Sequence, residues 1–347
     1  MAEIYASTAT APFFRKGQVQ YLNSEDDEDE DDEPFQETTA ASINEILKKV
    51  RIPQLSGHEQ IQLMDMIECA AFVEKHRRSM DENGARFMLF FRQHALRKGR
   101  TSEIQLSWRE INWAYHSTTQ DILVDFVTRQ THGPVLWRHA RESGIFMWMT
   151  DVSALRAQFE IVARNEYTSS ETKSPVDCSL FYLALKKKTV LHGLWRMAAG
   201  NKEQAATQRL LLNNFEEEKW KTVAQKNAYA LLGKRRFQYA AAFFLLAGRL
   251  GDAVEVCLRQ LKDIQLAIAI SRVYEGDGGP TLRKLLHDEV LPLAAQQGDR
   301  WLASWAFWML GRKDMAVRAL IFDTDASLHI VGDSELPGVS ITTVLNR

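Results

Sequence analysis

Residues 237–261, FQYAAAFFLLAGRLGDAVEVCLRQL, decide the fold. Phe237, Ala240, Ala241, Phe244 and Leu245 recur at i, i+3, i+4, i+7 and i+8, and Tyr239, Ala242, Phe243 and Leu246 form a second stripe. The first half is therefore a helix with both faces covered. After Gly248 the pattern becomes one-sided: Val254, Cys257, Leu258 and Leu261 share a face, while Asp252, Glu255, Arg259 and Lys262 lie off it. That is the pattern of an outer-layer helix, which Gly251-Asp252 is expected to open, with Asp252 as its cap and Glu255 three residues on. A connection this short makes the two helices antiparallel.

The same wording returns downstream. WAFWMLGRKDMAV (residues 305–317) echoes FFLLAGRLGDAV (residues 243–254), with Gly311 placed like Gly248 and Ala316 like Ala253. Upstream, Gly233 is expected to end a helix that begins near Asn214, Ser42 and Ser153 are expected to cap two others, and Gly144 divides a polar helix from an aromatic one. Helices of roughly 10 to 15 residues joined by tight turns predict an all-α chain, an α-solenoid or irregular array of antiparallel helical hairpins. Four regions follow: a disordered acidic tail (1–42), an N-terminal helical region (43–175), a core α-solenoid (176–322) and an irregular C-terminal tail (323–347). The loop at Gly276, Gly278, Gly279 and Pro280 lacks the preceding strand and the spacing of a phosphate cradle.

With 347 residues, 45% of them hydrophobic, the chain has ample material for a core. No run of 18 apolar residues occurs and the N-terminus, MAEIYASTATAPFF, has an early acid and no continuous apolar stretch, so neither a membrane span nor a secretory signal is expected. The chain is expected in the cytosol. Its formal charge of −2 conceals an unbroken run of nine acids, Glu25 to Glu33; the remaining 36 acids face 43 Lys and Arg, a net of +7. Charge of one sign at that density repels and cannot form a core. The tail reads as a solubilising spacer or a docking segment, with Ser24 placed like an acid-directed kinase site. The positive excess reads as spread along helices, with local clusters at Lys186, Lys187 and Lys188 and at Lys234, Arg235 and Arg236. Each cluster is either a solvated helix end or a patch for acidic partners. Nucleic-acid binding is not expected.

No motif for chemistry is present: no HExxH, GxSxG, Walker loop, CxxC or GxGxxG. Cys69, Cys178 and Cys257 have no metal or disulfide spacing and read as small core residues. No catalytic, cofactor or metal-binding residue is assigned. The alternative, a hydrolase or transferase built from distant residues such as His192 and Asp177, requires a cleft where titratable groups converge. Trp301, Trp305 and Trp308, at i, i+4 and i+7, form one stripe that serves either packing between helical layers or anchoring of a partner. Binding, not chemistry, is the expectation.

The ordered runs CSLFYLALKKK (178–188), KNAYALLGKRRF (226–237), AAFFLLAG (241–248) and DAVEVCL (252–258) resemble the C-terminal conserved region of the rabconnectin-3 alpha, or DmX-like, family. Its fungal member is the large subunit of the RAVE complex, and the resemblance covers about Trp108 to Ile321. It implies a scaffold without catalytic activity that helps the soluble sector of the vacuolar and endosomal proton-pumping ATPase rejoin its membrane sector. Implied partners are soluble-sector subunits and other RAVE subunits, including a ubiquitin-ligase adaptor; implied location is the cytoplasm, with recruitment to vacuolar or endosomal membranes through those partners. A generic trafficking solenoid, coat or tether, is the alternative. Members carry N-terminal β-propellers before the solenoid. This chain shows no propeller repeats, and both its acidic tail and the residues after Ile321 differ from the family, so a piece of a longer protein is expected.

Overall fold

The computed structural model describes residues 35–97, 106–131 and 133–321. The acidic run, Ser24 and the segment 323–347 lie outside the described residues, among which there is no strand. In chain order the helices are α1 (Glu37–Lys49), α2 (Gly57–His76), α3 (Glu82–Arg97), α4 (Trp108–His116), α5 (Gln120–Gln130), α6 (Trp137–Ser143), α7 (Ile145–Trp148), α8 (Val152–Ser169), α9 (Pro175–Ala184) and α10 (Lys188–Met197). There follow α11 (Gln204–Leu211), α12 (Glu218–Gly233), α13 (Phe237–Leu246), α14 (Leu250–Arg259), α15 (Ile264–Glu275), α16 (Pro280–Leu285), α17 (Leu291–Gln297), α18 (Arg300–Met309) and α19 (Lys313–Ile321). A single π turn, Leu286–Val290, links α16 to α17.

Helix α13 is the covered rod that its two stripes predict: every residue from Tyr239 to Leu246 is buried, with α9, α12 and α14 packed around it. Helix α14 buries Ala253, Val254, Val256 and Cys257 and leaves Glu255 and Arg259 outside. Three expected caps are corrected. Helix α1 begins at Glu37, so it takes in residues 37–42 of the expected tail, and Ser42 sits mid-helix with its hydroxyl donating to the Thr38 carbonyl at 2.9 Å. Asp151, not Ser153, caps α8 by accepting from the Ser153 N–H at 2.8 Å. Asp252 lies inside the first turn of α14 and pairs with Arg249 at 2.8 Å instead of capping. Only α8 gains a side-chain cap, from Asp151; α1 and α14 start at Gln36 and Arg249, neither of which makes a side-chain cap bond.

Five of the helix-to-helix turns share one geometry. After α9, α12, α13, α17 and α18 the chain takes a left-handed residue, at Lys186 (φ 59°), Arg235 (φ 57°), Gly248 (φ 74°), Gly298 (φ 63°) and Gly311 (φ 76°). Each is held by a pair of bonds to the preceding helix, such as Arg249 N to Phe244 O at 2.8 Å with Gly248 N to Leu245 O at 3.0 Å, and Lys187 N to Tyr182 O at 2.8 Å with Lys186 N to Leu183 O at 3.0 Å. This closes the last carbonyls of the helix. Gly233 is the last residue of α12, and the turn expected of it is made two residues later by Arg235.

The core does not stop at residue 175. Ring pairs Trp137–Phe146 (5.8 Å), Phe146–Phe159 (5.1 Å) and Phe159–Phe181 (5.3 Å) join α6, α7, α8 and α9. Nor is the array strictly neighbour on neighbour, as a linear solenoid would be. Helix α18 packs on α4 through Trp108 and Trp305, 5.0 Å apart, and the Asn112 amide donates to the Trp301 carbonyl at 2.9 Å. At the centre lies α7, one turn whose four residues are all buried. Such a turn cannot satisfy its own carbonyls. Arg272 of α15 donates to Phe146 O (2.5 Å) and Met149 O (2.6 Å), Trp305 of α18 to Met147 O (3.0 Å), and Gln120 of α5 to Trp148 O (2.8 Å). The Arg272 guanidinium, 0% exposed, is neutralised by Asp277, with Nε to Oδ1 at 2.6 Å and Nη2 to Oδ2 at 2.8 Å.

Replacing Arg272 by Leu strands two carbonyls and a partly buried carboxylate, and should lower unfolding free energy by about 3 to 5 kcal/mol, read as a fall in urea midpoint. Arg272→Lys should recover only part of the loss, since an ammonium cannot fork to four acceptors. At the turns, Gly248→Val should cost about 1 to 3 kcal/mol. A Cβ at 248 meets nothing within 4 Å, so the cost is conformational and not the crowding of neighbouring helices. Arg235→Gly should raise the melting temperature, because it relieves the same backbone conformation.

Candidate interaction surfaces

The two basic clusters are turn residues. Lys186 is exposed, with its ammonium 4.3 Å from the Tyr274 ring centre. Lys187 pairs with Glu160 at 2.5 Å, and Lys188 donates to the Asn213 carbonyl at 2.7 Å. In the other cluster, Arg236 forks onto Glu203 and lies 4.9 Å from the Tyr239 ring. Lys234 and Arg235 are exposed and carry no ion-pair partner among the described residues. The structure does not bring the clusters together. Gln238, two residues after Arg236, reaches the Asp177 carbonyl in the first turn of α9 at 3.4 Å, whereas Lys186 to Lys188 follow its last turn. Helix α9 has 10 residues, which sets them about 15 Å apart.

The tryptophan stripe divides. Trp305 is fully buried, its indole N–H spent on Met147 O. Trp301 and Trp308 are half-buried on either side of it; the Trp308 ring meets the edge of His116 at 4.7 Å, and Lys313 stands 5.5 Å from its centre. The stripe therefore packs α18 on α4 and leaves two indoles part-open.

The positive excess lies in the stretch that the two clusters bound: residues 186–236 carry 12 Lys and Arg against four acids, six of the 12 in the clusters themselves, and outside this stretch and the acidic run 31 basic residues face 32 acids. Within this stretch α11 and α12 leave a groove of about 360 Å³ between them, lined by Ala206, Arg209, Leu210, Asn213, Trp220 and Asn227, with Phe243 of α13 as floor. The Asn213 amide nitrogen is committed to the Arg209 and Leu210 carbonyls at 2.9 and 3.0 Å. Its amide oxygen has no donor among the described residues, and the Asn227 side chain has no partner there. Motif searching missed this site. A running charge count points to its stretch of chain, but the gap between α11 and α12 has no local sequence sign.

No chemical constellation accompanies these surfaces among the described residues. No group of three or more His, Cys, Asp or Glu is placed to hold a metal. His192 and Asp177 share no hydrogen bond or ion pair: the backbone carbonyl of Asp177 accepts from Gln238, and His192 Nε2 is buried without a partner. The three thiols are buried. Burial pushes Cys69 and Cys178 up to about 12 and Cys257 higher still, so none is a thiolate near neutral pH. In the native chain a thiol reagent at pH 8 should label none of the three rapidly, and all three after denaturation; fast native labelling of Cys178 or Cys257 would contradict the packing around them.

A family model described as RAVE protein 1 C terminal matches residues 3–335. The match includes the acidic run and passes Ile321, so the expectation that both ends depart from the family is corrected. Regulator of V-ATPase in vacuolar membrane protein 1 of Schizosaccharomyces pombe is 41% identical over 300 residues, covering 83% of this chain and 23% of that protein. The Saccharomyces cerevisiae protein of the same name is 38% identical over 287 residues, with 83% and 21% covered. Human DmX-like protein 1 is 34% identical over 300 residues, with 78% and 10% covered. The chain thus spans less than a quarter of the length of these curated relatives.

Proposed function

The chain belongs to the RAVE protein 1 C-terminal family, and from that premise we propose that it is a non-catalytic scaffold promoting assembly of the vacuolar and endosomal proton-pumping ATPase. The observation that carries this reading is the match over residues 3–335, with relatives whose names make them regulators of the V-ATPase in the vacuolar membrane. Its physical support is an array of helices with its polar groups committed to packing, no metal-binding group among the described residues, and open surfaces at the turns. Partners are soluble-sector subunits of the pump and other RAVE subunits, including a ubiquitin-ligase adaptor. No described helix is long and apolar enough to cross a membrane. In this reading the chain works from the cytoplasm and reaches the vacuolar or endosomal surface through its partners. Lys234, Arg235, Trp301 and Trp308 are the contact residues with side chains still available, and Lys186 to Lys188 contribute charge at the other end of α9.

The test is a chimaera in which this chain replaces the matching segment of the Saccharomyces cerevisiae relative. In cells lacking the native regulator it should restore vacuolar acidification, read with a pH-sensitive dye, and should co-purify with the pump's soluble sector. A stably expressed chimaera that does neither would reject the scaffold reading, and one that corrects cargo sorting without changing vacuolar pH would make the chain a trafficking solenoid instead.

A further inference from the structure

Side-chain bonds gather five of the connections between helices at one end of the array. The Gln238 amide reaches the Asp177 carbonyl at 3.4 Å and so joins the start of α13 to the start of α9. Trp137, which opens α6, donates its backbone N–H to Glu166 near the end of α8 at 2.7 Å and its indole N–H to Asp263, the cap of α15, at 2.8 Å. Arg236 forks onto Glu203, and Gln204 holds the Arg196 carbonyl at 3.0 Å, so the turn between α10 and α11 lies beside the turn between α12 and α13. The bonds of Lys187 to Glu160, Lys188 to the Asn213 carbonyl and Arg156 to the Val273 carbonyl mark the opposite end. Glu216, Glu217 and Glu218 belong to that opposite end, at the start of α12, whose 16 residues span about 24 Å.

The gathered end is basic. Lys173, Arg196, Lys202, Lys234, Arg235 and Lys262 are exposed there and form no ion pair among the described residues. Most of its acids are spent. Glu203 is held by Arg236; Asp263 is buried and accepts from the Leu266 N–H and the Trp137 indole; Glu255 and Glu289 take up Arg259. Glu166 accepts from Trp137, and burial pushes its carboxyl above the usual carboxylate range. Glu171 and Asp177 remain, two acids against six cations. Three of the six, Lys173 (φ 44°), Arg235 (φ 57°) and Lys262 (φ 56°), hold the left-handed conformation that glycine takes without strain. Met197, 64% exposed, ends α10 and falls in the chain between Arg196 and Lys202.

We propose that this basic end rests on the anionic headgroup layer of a membrane, with the six cations over the lipid charge and Met197 entering the interface. Packed helices stand about 8 to 10 Å apart, so the turn between α12 and α13 and the turn between α14 and α15 are roughly 20 Å apart, well beyond the screening length of about 8 Å at physiological salt. One bound carboxylate meets one or two of these cations, whereas a charged plane meets them all. They stand on turn tips and not inside a cleft, which favours a surface over a bound peptide. This inference rests on the scaffold reading and adds a direct lipid contact, through Lys234 and Arg235 among others, to recruitment by partners.

The full chain is sedimented with phosphatidylcholine vesicles made with and without phosphatidylserine. It should bind only the anionic vesicles and leave them as salt rises. Arg235→Gly combined with Lys262→Gly removes two charges and relaxes two left-handed residues. Binding should fall roughly 25-fold, about fivefold for each charge, while the melting temperature rises; a folding defect would not give that pairing. Lys186→Gly makes the matching change at the opposite end and should leave vesicle binding as it was. Met197→Ser should weaken binding without altering its salt dependence. Equal binding of neutral vesicles, or equal loss from Lys186→Gly, overturns the proposal. So does an acidic peptide of Glu and Asp that binds through Arg235 and Lys262 while vesicles do not, which would make this end a docking site for a protein segment. If vesicles fail while the chimaera restores acidification, the lipid contact falls and the scaffold reading stands; if vesicles bind and the chimaera fails, the scaffold reading falls and the membrane surface stays.

Discussion

A single buried turn sets the terms for this fold. Residues 145–148 are too few to close their own hydrogen bonds and too deeply placed for water to do it, yet an unpaired buried carbonyl costs on the order of 1 to 3 kcal/mol. Three side chains from distant parts of the chain, Gln120, Arg272 and Trp305, converge on carbonyls 146–149. Helices α5, α15 and α18 are thereby fixed around α7 in one arrangement, because Gln120, Arg272 and Trp305 each reach a carbonyl of this one buried turn. The apolar rings of Phe146, Phe159 and Phe181 supply bulk driving force, but they are permissive about angle; the polar convergence is not.

This constraint explains why the array departs from a ladder of hairpins. In a linear solenoid each unit contacts only its neighbours and could slip or bend. Here the Trp305 indole and the Asn112 amide tie the last helices to the first part of the core across more than a hundred residues, and the turns are locked at fixed φ. A body held in this way presents fixed surfaces, and its three thiols are buried in the interior. The positive charge left at the periphery stands mainly at the turns that follow α9 and α12, at Lys186 to Lys188 and Lys234 to Arg236.

Much of the architecture was legible in the sequence, for identifiable reasons. The two stripes of α13 and the single stripe of α14 follow from helical periodicity, and Gly248 and Gly311 mark left-handed turns because glycine adopts that conformation freely. Lys186 and Arg235 make the same turn with no sequence sign, since a basic side chain in that position resembles an ordinary helix end. The aromatic half after Gly144 was visible; its role was not, because its partners at 120, 272 and 305 share no local window with it. Caps failed where two polar residues competed, as at Asp151 and Ser153. Of the surface residues singled out, Trp305 turned inward because its N–H had a buried acceptor waiting, and the groove at Arg209, Trp220 and Asn227 depends on a gap that only the packed structure defines.

The central claim is that α7 and the helices that satisfy it form one cooperative body. Native-state hydrogen exchange on the full chain tests it most directly. If the claim holds, the amides of residues 145–149 and those of α15 exchange only through the same global opening, with matching free energies and matching dependence on denaturant. Exchange of 145–149 through a separate, lower-energy opening while α15 stays protected would show that the convergence on α7 is incidental and that some other contact organises the fold.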